Sequence, residues 1–210
     1  MNNRPYALKA ANAQVDIYRF DGTRDSHEVY PVAEVPGSTT LKVAQLEVSA
    51  RITPLYFIKL DLTDAAGRLL STNLYWQHVA QDQFDGLMRL PTVVLGVQAA
   101  ARIVADKTVV TVDLRNPTEH VALLTHLQLH QKKSGRRVLP VFYSDNYVSL
   151  VPGESCTVSI EAATKDLQGE DPLVEVDGYN VDVKPSDGPV GVALNLNAQP
   201  SHWPESEIVP

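Results

Sequence analysis

The sequence predicts an all-β protein made of two β-sandwich modules, and three observations carry that prediction. The hydrophobic period is two wherever it can be measured: Ala13-Val15-Ile17, Tyr56-Ile58-Leu60-Leu62, and Val110-Val112-Leu114 with Thr111 and Asp113 between. This is the alternation of strands with one buried face. Turn signals follow at short intervals, namely Asp21-Gly22, Pro36-Gly37, Ala66-Gly67, Asn116-Pro117, Ser134-Gly135 and Pro152-Gly153. That spacing suits antiparallel hairpins, whereas a parallel sheet would need intervening helices. Composition agrees: 14 Pro and 11 Gly against 2 Met in 210 residues favour turns over helices. The same length is comfortable for two sandwich domains of about 100 residues each.

Residues 1–78 read as the first module. Between Ala7 and Trp76 about five strands can be counted where a complete sandwich needs about seven. The module is therefore N-terminally incomplete, and an exposed edge or missing N-terminal strands should follow. After Tyr75-Trp76 the character changes, because His78 to Leu90 is polar and mixed and a new series of strands begins near Thr92. The second module is accordingly placed at 79–183. Gln98 to Asp106 is the one stretch that suits a helix, but it is short and equally suits a strand entry. Cys156 stands in the alternating stretch Cys156-Thr157-Val158-Ser159-Ile160 and, having no second cysteine to pair with, reads as a small apolar core residue. From Lys184 onward Pro185, Gly188-Pro189, Pro200, Pro204 and Pro210 interrupt any periodicity, so 184–210 reads as an irregular, flexible tail.

Charge excludes one class of partner. With 18 Lys and Arg against 25 Asp and Glu the formal charge is −7, and no basic run is longer than Lys132-Lys133 or Arg136-Arg137. No stripe exists to neutralise phosphates, so nucleic acid is not an expected partner. Met1 to Pro5 lacks the basic start and apolar stretch of a secretory signal, and no run approaches the ~20 apolar residues that span a bilayer. The chain reads as one without export signal or membrane partner.

Catalysis needs a nucleophile with a base, a metal cluster or a placed carboxylate pair, and none of these is convincing. His126 and His130 fall on one face of a strand but ~13 Å apart, too far to share a metal, and read as solvent-facing. Ser144-Asp145 has no Gly-x-Ser-x-Gly elbow around it. Asp171, Glu175 and Asp177 lie close in sequence, with Glu175 and Asp177 on one strand face, and read as a solvated edge rather than a glycosidase pair. No catalytic residue, metal ligand or cofactor is assigned. A sugar-stacking platform is the remaining candidate: Trp76, Tyr75, Tyr143 and Tyr147 offer flat faces to pyranose rings, and Asp145 and Asn146 offer polar partners for hydroxyls. The alternative is that these rings are core and interface aromatics.

One segment is more specific, Arg137-Val138-Leu139-Pro140-Val141-Phe142-Tyr143-Ser144-Asp145-Asn146-Tyr147-Val148-Ser149-Leu150-Val151-Pro152-Gly153-Glu154-Ser155. Its local physics is that of a hairpin: Asp145-Asn146 tolerates tight or left-handed backbone, Tyr147 to Leu150 alternates, and Pro152-Gly153 suits a type II turn. The segment resembles the last immunoglobulin-like domain of family 2 glycoside hydrolases of the exo-β-glucosaminidase, β-mannosidase and plant-type mannosylglycoprotein endo-β-mannosidase kinds. Pro172 to Asn180 follows at the family's usual distance, with Gly178-Tyr179-Asn180 where relatives typically carry Gly-Trp-Asn. Tyr56 to Leu62, Asp64 to Gly67 and Asn73 to Trp76 resemble the preceding module.

The resemblance covers about residues 2–183 and implies two immunoglobulin-like β-sandwich modules, the first N-terminally incomplete. It further implies a non-catalytic, accessory role, because the family's catalytic glutamates sit on a (β/α)8 barrel N-terminal to these modules and no part of that barrel is encoded here. The implied partner is such a barrel, in cis or as a separate chain, with oligosaccharide as a second candidate. The loop Tyr143 to Tyr147 leans slightly towards mannosides, and the parent enzyme is expected in the periplasm or outside the cell. A free carbohydrate-binding sandwich using Trp76, Tyr143 and Tyr147, or a protein-interaction sandwich without sugar ligand, are the alternative readings.

Overall fold

The computed structural model describes residues 1–79, 84–182 and 192–193. The chain divides into two compact units, 1–91 and 92–210. Among the described residues every extended element is a strand, and the only helical pieces are two short 3₁₀ turns at Phe84–Arg89 and Thr164–Leu167. None is long and apolar enough to cross a membrane. The tail expectation for 184–210 falls outside the described residues, save Val192 and Ala193, whose backbone pairs with Val174 and Leu173.

The first unit is one antiparallel sheet built from β1 (Leu8–Arg19), β2 (Arg24–Val35), β3 (Leu55–Thr63) and β4 (Leu69–His78), in the order β2-β1-β3-β4. Four strands form where about five were counted, because residues 40–54 between β2 and β3 carry none. Cross-strand register places Ala13 opposite Leu62, Val15 opposite Leu60 and Ile17 opposite Ile58, so one face is apolar. The opposite face sets Asp16 against Lys59 and Tyr18 against Phe57. Asp16 is buried, and its carboxylate is held by Gln14 Nε2 at 2.9 Å, His27 Nδ1 at 2.8 Å and Arg24 Nη1 at 3.3 Å. Ion pairing and hydrogen bonding together offset its desolvation.

The second unit is a sandwich. One sheet has the order β6-β7-β11-β9, from β6 (Gly96–Val104), β7 (Lys107–Arg115), β9 (Phe142–Tyr143) and β11 (Ser155–Ala163). The other is β10-β8-β12-β14, from β8 (Ala122–Gln131), β10 (Val148–Leu150), β12 (Pro172–Asp177) and β14 (Val192–Ala193). A parallel pair, β5 (Val93–Val94) with β13 (Val181–Asp182), closes one flank. Alternate residues of both sheets meet in one core that includes Val110, Val112 and Ile160 from the first and Leu127, Leu129 and Val174 from the second, all fully enclosed. Fully burying such side chains stabilises by about 1.5–3 kcal/mol each. Cys156 is half-buried against this core. The helix-or-strand alternative at 98–106 resolves to strand β6, because Ala101 faces the core opposite Val110.

Candidate functional site

The site is assembled where β8 meets the loop 144–147 and the end of β12. The loop enters β10 with Tyr147 at φ 57°, a left-handed conformation that costs a non-glycine residue and needs surrounding support. Asn146 supplies it. Its Oδ1 accepts the Leu127 N–H at 2.8 Å and the Tyr147 N–H at 2.9 Å, while its Nδ2 donates to the Leu127 carbonyl at 3.0 Å. The amide side chain thereby acts as a one-residue strand partner for β8. Ser149 Oγ accepts the Leu124 N–H at 3.0 Å, where Leu124 is itself at φ 53°.

A second amide braces the other side of the same irregularity. Asn180 Oδ1 accepts the Leu123 N–H at 2.8 Å and its Nδ2 donates to the Val121 carbonyl at 2.9 Å. Gly178 is required here by close approach, since a Cβ would lie 2.8 Å from Val181 Cγ2 and 3.2 Å from the Leu123 carbonyl oxygen. Tyr179 is exposed, while its N–H donates to the Leu123 carbonyl at 3.0 Å. The motif Gly178-Tyr179-Asn180 is therefore backbone engineering at two of its three positions.

The outward face of β8 and β12 requires a correction. His126 and His130 were expected to face solvent, and Glu175 and Asp177 to form a solvated edge. The pairing of β8 with β12 sets Asp177 opposite His126 and Leu173 opposite His130. His126 Nδ1 lies 2.9 Å from Asp177 Oδ1, and His130 Nε2 lies 3.3 Å from Glu175 Oε2. Both imidazoles are largely covered, at 16% and 13% side-chain exposure. Asp177, still 65% exposed, caps His126, whereas His130 Nε2 is buried without a hydrogen bond to the neighbouring Glu175. The Tyr147 ring stacks on His126 with centroids 4.6 Å apart and planes 11° from parallel, and its outer face stays open at 58% exposure.

The remaining candidates fall as follows. Tyr143 is half-buried on β9, and burial pushes its phenol above the usual value of 10.0, opposed by the Leu129 backbone N–H and the Arg137 charge. Asp145 is exposed and accepts the Asn146 N–H at 2.8 Å. Ser144 Oγ accepts the Ser159 N–H at 2.9 Å, which ties loop to β11. Trp76 belongs to the first unit, half-buried on β4 opposite Phe57, and Tyr75 is exposed on the other face of that strand. Loop and sheet thus bring Asn146, Tyr147, His126 and Asp177 together. His126 and Asp177 were missed as site members because strand adjacency between residues 51 positions apart leaves no local signal. Among the described residues no group of three or more His, Cys, Asp or Glu is arranged to hold a metal ion.

Fold and site together define a class: an immunoglobulin-like sandwich region whose most specific polar residues brace its own backbone and leave one aromatic face open. Residues 73–181 match the family model of the exo-β-D-glucosaminidase Ig-fold domain, and the chain belongs to that family. It is 32% identical over 204 residues to the exo-β-D-glucosaminidase of Streptomyces avermitilis, covering 86% of this chain and 22% of that one. The crystal structure of the Amycolatopsis orientalis exo-chitosanase superposes with a TM-score of 0.80 at 26% identity, covering 86% of this chain and 24% of that chain. A mannosylglycoprotein endo-β-mannosidase of Lilium longiflorum is 37% identical over 75 residues, 33% of this chain and 8% of its own. The chain thus spans about a fifth of the length of its glucosaminidase relatives.

Proposed function

We propose that this chain is the non-catalytic sandwich region of a family 2 exo-β-D-glucosaminidase and packs against the catalytic (β/α)8 barrel of that enzyme. The observation that carries this reading is the extent of the likeness: 86% of the chain aligns to about a fifth of a glucosaminidase, with the motif residues Asn146 and Asn180 spent on structure rather than chemistry. Glucosaminide is preferred to mannoside because the glucosaminidase likeness runs through both units, whereas the endo-mannosidase likeness covers 33% of the chain. The lean towards mannosides read from Tyr143 to Tyr147 gives way to this. The test replaces the matching region of the Streptomyces avermitilis enzyme by residues 1–182 of this chain. Hydrolysis of p-nitrophenyl β-D-glucosaminide within about tenfold of the parent, with none from the isolated chain, is the expected result. A folded chimera without activity would overturn it.

A second reading rests on Tyr147. Its open ring face, held rigid by His126 and by the Asn146 clip, has the geometry of a sugar-stacking surface. Titration of the isolated chain with chito-oligosaccharide, followed through Tyr147 and His126 resonances, tests it. Saturable shifts abolished by Tyr147→Ala support the reading, and unchanged spectra at millimolar sugar remove it.

A further inference from the structure

We propose that the turn 132–137 of the second unit is a latent cleavage site for proteases that cut after Lys or Arg, and that the Glu170 carboxylate is the latch that closes it. The turn carries Lys132, Lys133, Arg136 and Arg137, and every residue from Lys132 to Arg137 is exposed. Exposed loop tips are where proteases enter folded proteins. A protease nevertheless acts on opened chain, so the rate of cutting follows how often the turn opens. Opening is opposed by a strap, the segment 166–171. Gln131 Nε2 donates to the Asp166 carbonyl at 3.0 Å, the Lys132 N–H donates to the Asp171 carbonyl at 2.9 Å, and the Arg136 guanidinium donates to Gln168 Oε1.

The two basic pairs are guarded differently. After Arg136 and Arg137 the chain is held by the hairpin itself, because the Arg136 carbonyl accepts the Gln131 N–H at 2.8 Å and the Val138 N–H donates to the Leu129 carbonyl at 2.9 Å. Arg137 is also bridged to His130 on β8. After Lys132 and Lys133 the amides of the two susceptible bonds are those of Lys133 and Ser134. Both donate to Glu170 Oε2, at 2.7 and 2.9 Å. A single carboxylate therefore holds the nitrogen of each bond, through charge-assisted contacts that are stronger than neutral ones. Its charge also offsets the four basic side chains crowded on the turn. Cleavage adds one water across the Lys133–Ser134 bond, leaving a Lys133 carboxylate and a Ser134 amine. The cut places β8 on one piece and its neighbours β10 and β12 on the other, so strand pairing keeps the pieces together.

The test is limited digestion of the 210-residue chain with trypsin under native conditions, the cut sites being read by mass spectrometry. Lys42 and Arg51, exposed in a stretch that carries no strand, supply the reference rate. In the unaltered chain cutting after Lys132 and Lys133 should lag well behind them, and equal rates would overturn the latch. Glu170→Ala should speed cutting after Lys132 and Lys133 on the order of 10-fold, with the rates after Arg51 and Arg137 unchanged. Glu170→Gln keeps an acceptor oxygen for the two amides and should restore most of the protection. Rates after Lys132 and Lys133 that are the same in all three chains overturn the proposal. So does cutting that spreads to Arg102, Lys107 and Arg115 on β6 and β7, because the whole unit has then loosened. Lys132→Gln with Lys133→Gln, added to Glu170→Ala, should remove the new fragments, and fragments that persist place the opening elsewhere.

Discussion

The two units use the same strand chemistry and reach different degrees of closure. The second presents two sheets to each other, and Val110, Val112, Leu127, Leu129 and Ile160 are sealed between them. The first presents a single sheet that buries Ile17, Leu55 and Phe57 but leaves Ala13, Ile58, Leu60 and Leu62 only partly covered. A period of two decides which face of a strand is apolar. Only a second layer decides whether that face is dry.

The comparison can be broken at four levels, beginning with the core. Leu127→Ala should destabilise the second unit by about 2–5 kcal/mol, the range for truncating a fully enclosed leucine, whereas Leu60→Ala in the first unit should cost less, about 1–2 kcal/mol, because its side chain is only partly buried. Urea unfolding of both variants measures the contrast, and equal losses would mean the first sheet is covered as well as the second. Next, Asn180→Ala should cost about 1–3 kcal/mol by leaving the Leu123 N–H and Val121 carbonyl without partners. Asn146→Ala should cost less, since its bonds are part-buried.

Smaller effects sharpen the picture at the pH extremes. The backbone N–H of Ser134, then that of Lys133, hold the Glu170 carboxyl below its ordinary value of 4.5. A depressed folded pKa gives stability that is present above the unfolded value and lost as pH falls through the folded one. Glu170→Gln should therefore flatten the acid limb of stability below about pH 4.5 and leave the neutral range unaltered, as thermal melts at stepped pH would show. Tyr143 has the opposite sign. Its raised phenol keeps the fold favoured below pH 10.0 and loses that advantage as pH rises further, so Tyr143→Phe should melt at a steadier temperature above pH 10.

Much of this architecture was legible from local pattern. Strand β3 contains Tyr56 to Leu62 and β7 contains Val110 to Leu114, as alternation required. Gly22, Gly67, Gly135 and Gly153 all sit at positive φ in the turns they signalled, but the hairpin reading of Asp145 to Gly153 fails beyond its turn, because β10 pairs with β8 in one sheet while β11 pairs with β7 and β9 in the other. Pairing between distant strands was not legible, because periodicity reports a strand's face and is silent on its neighbour. The coupling of His126 to Asp177 and of His130 to Glu175 is a product of that pairing alone. Asn146 and Asn180 were visible as motif residues, but that each replaces a missing ladder partner depends on the left-handed backbone at Tyr147 and Leu124.

The position of β8 has a consequence for how this protein is made. Its two neighbours in the sheet, β10 and β12, both follow it in the chain. A ribosome delivering residues in order therefore exposes Leu127 and Leu129 before either flanking strand exists. Neither side of β8 is sheltered until Val148–Leu150 and Pro172–Asp177 have left the exit tunnel. The β1–β2 and β3–β4 hairpins of the first unit close as soon as they emerge. Synthesis thus passes through a stage in which the strands of the first unit are already paired while β8 of the second is the part open to chaperones.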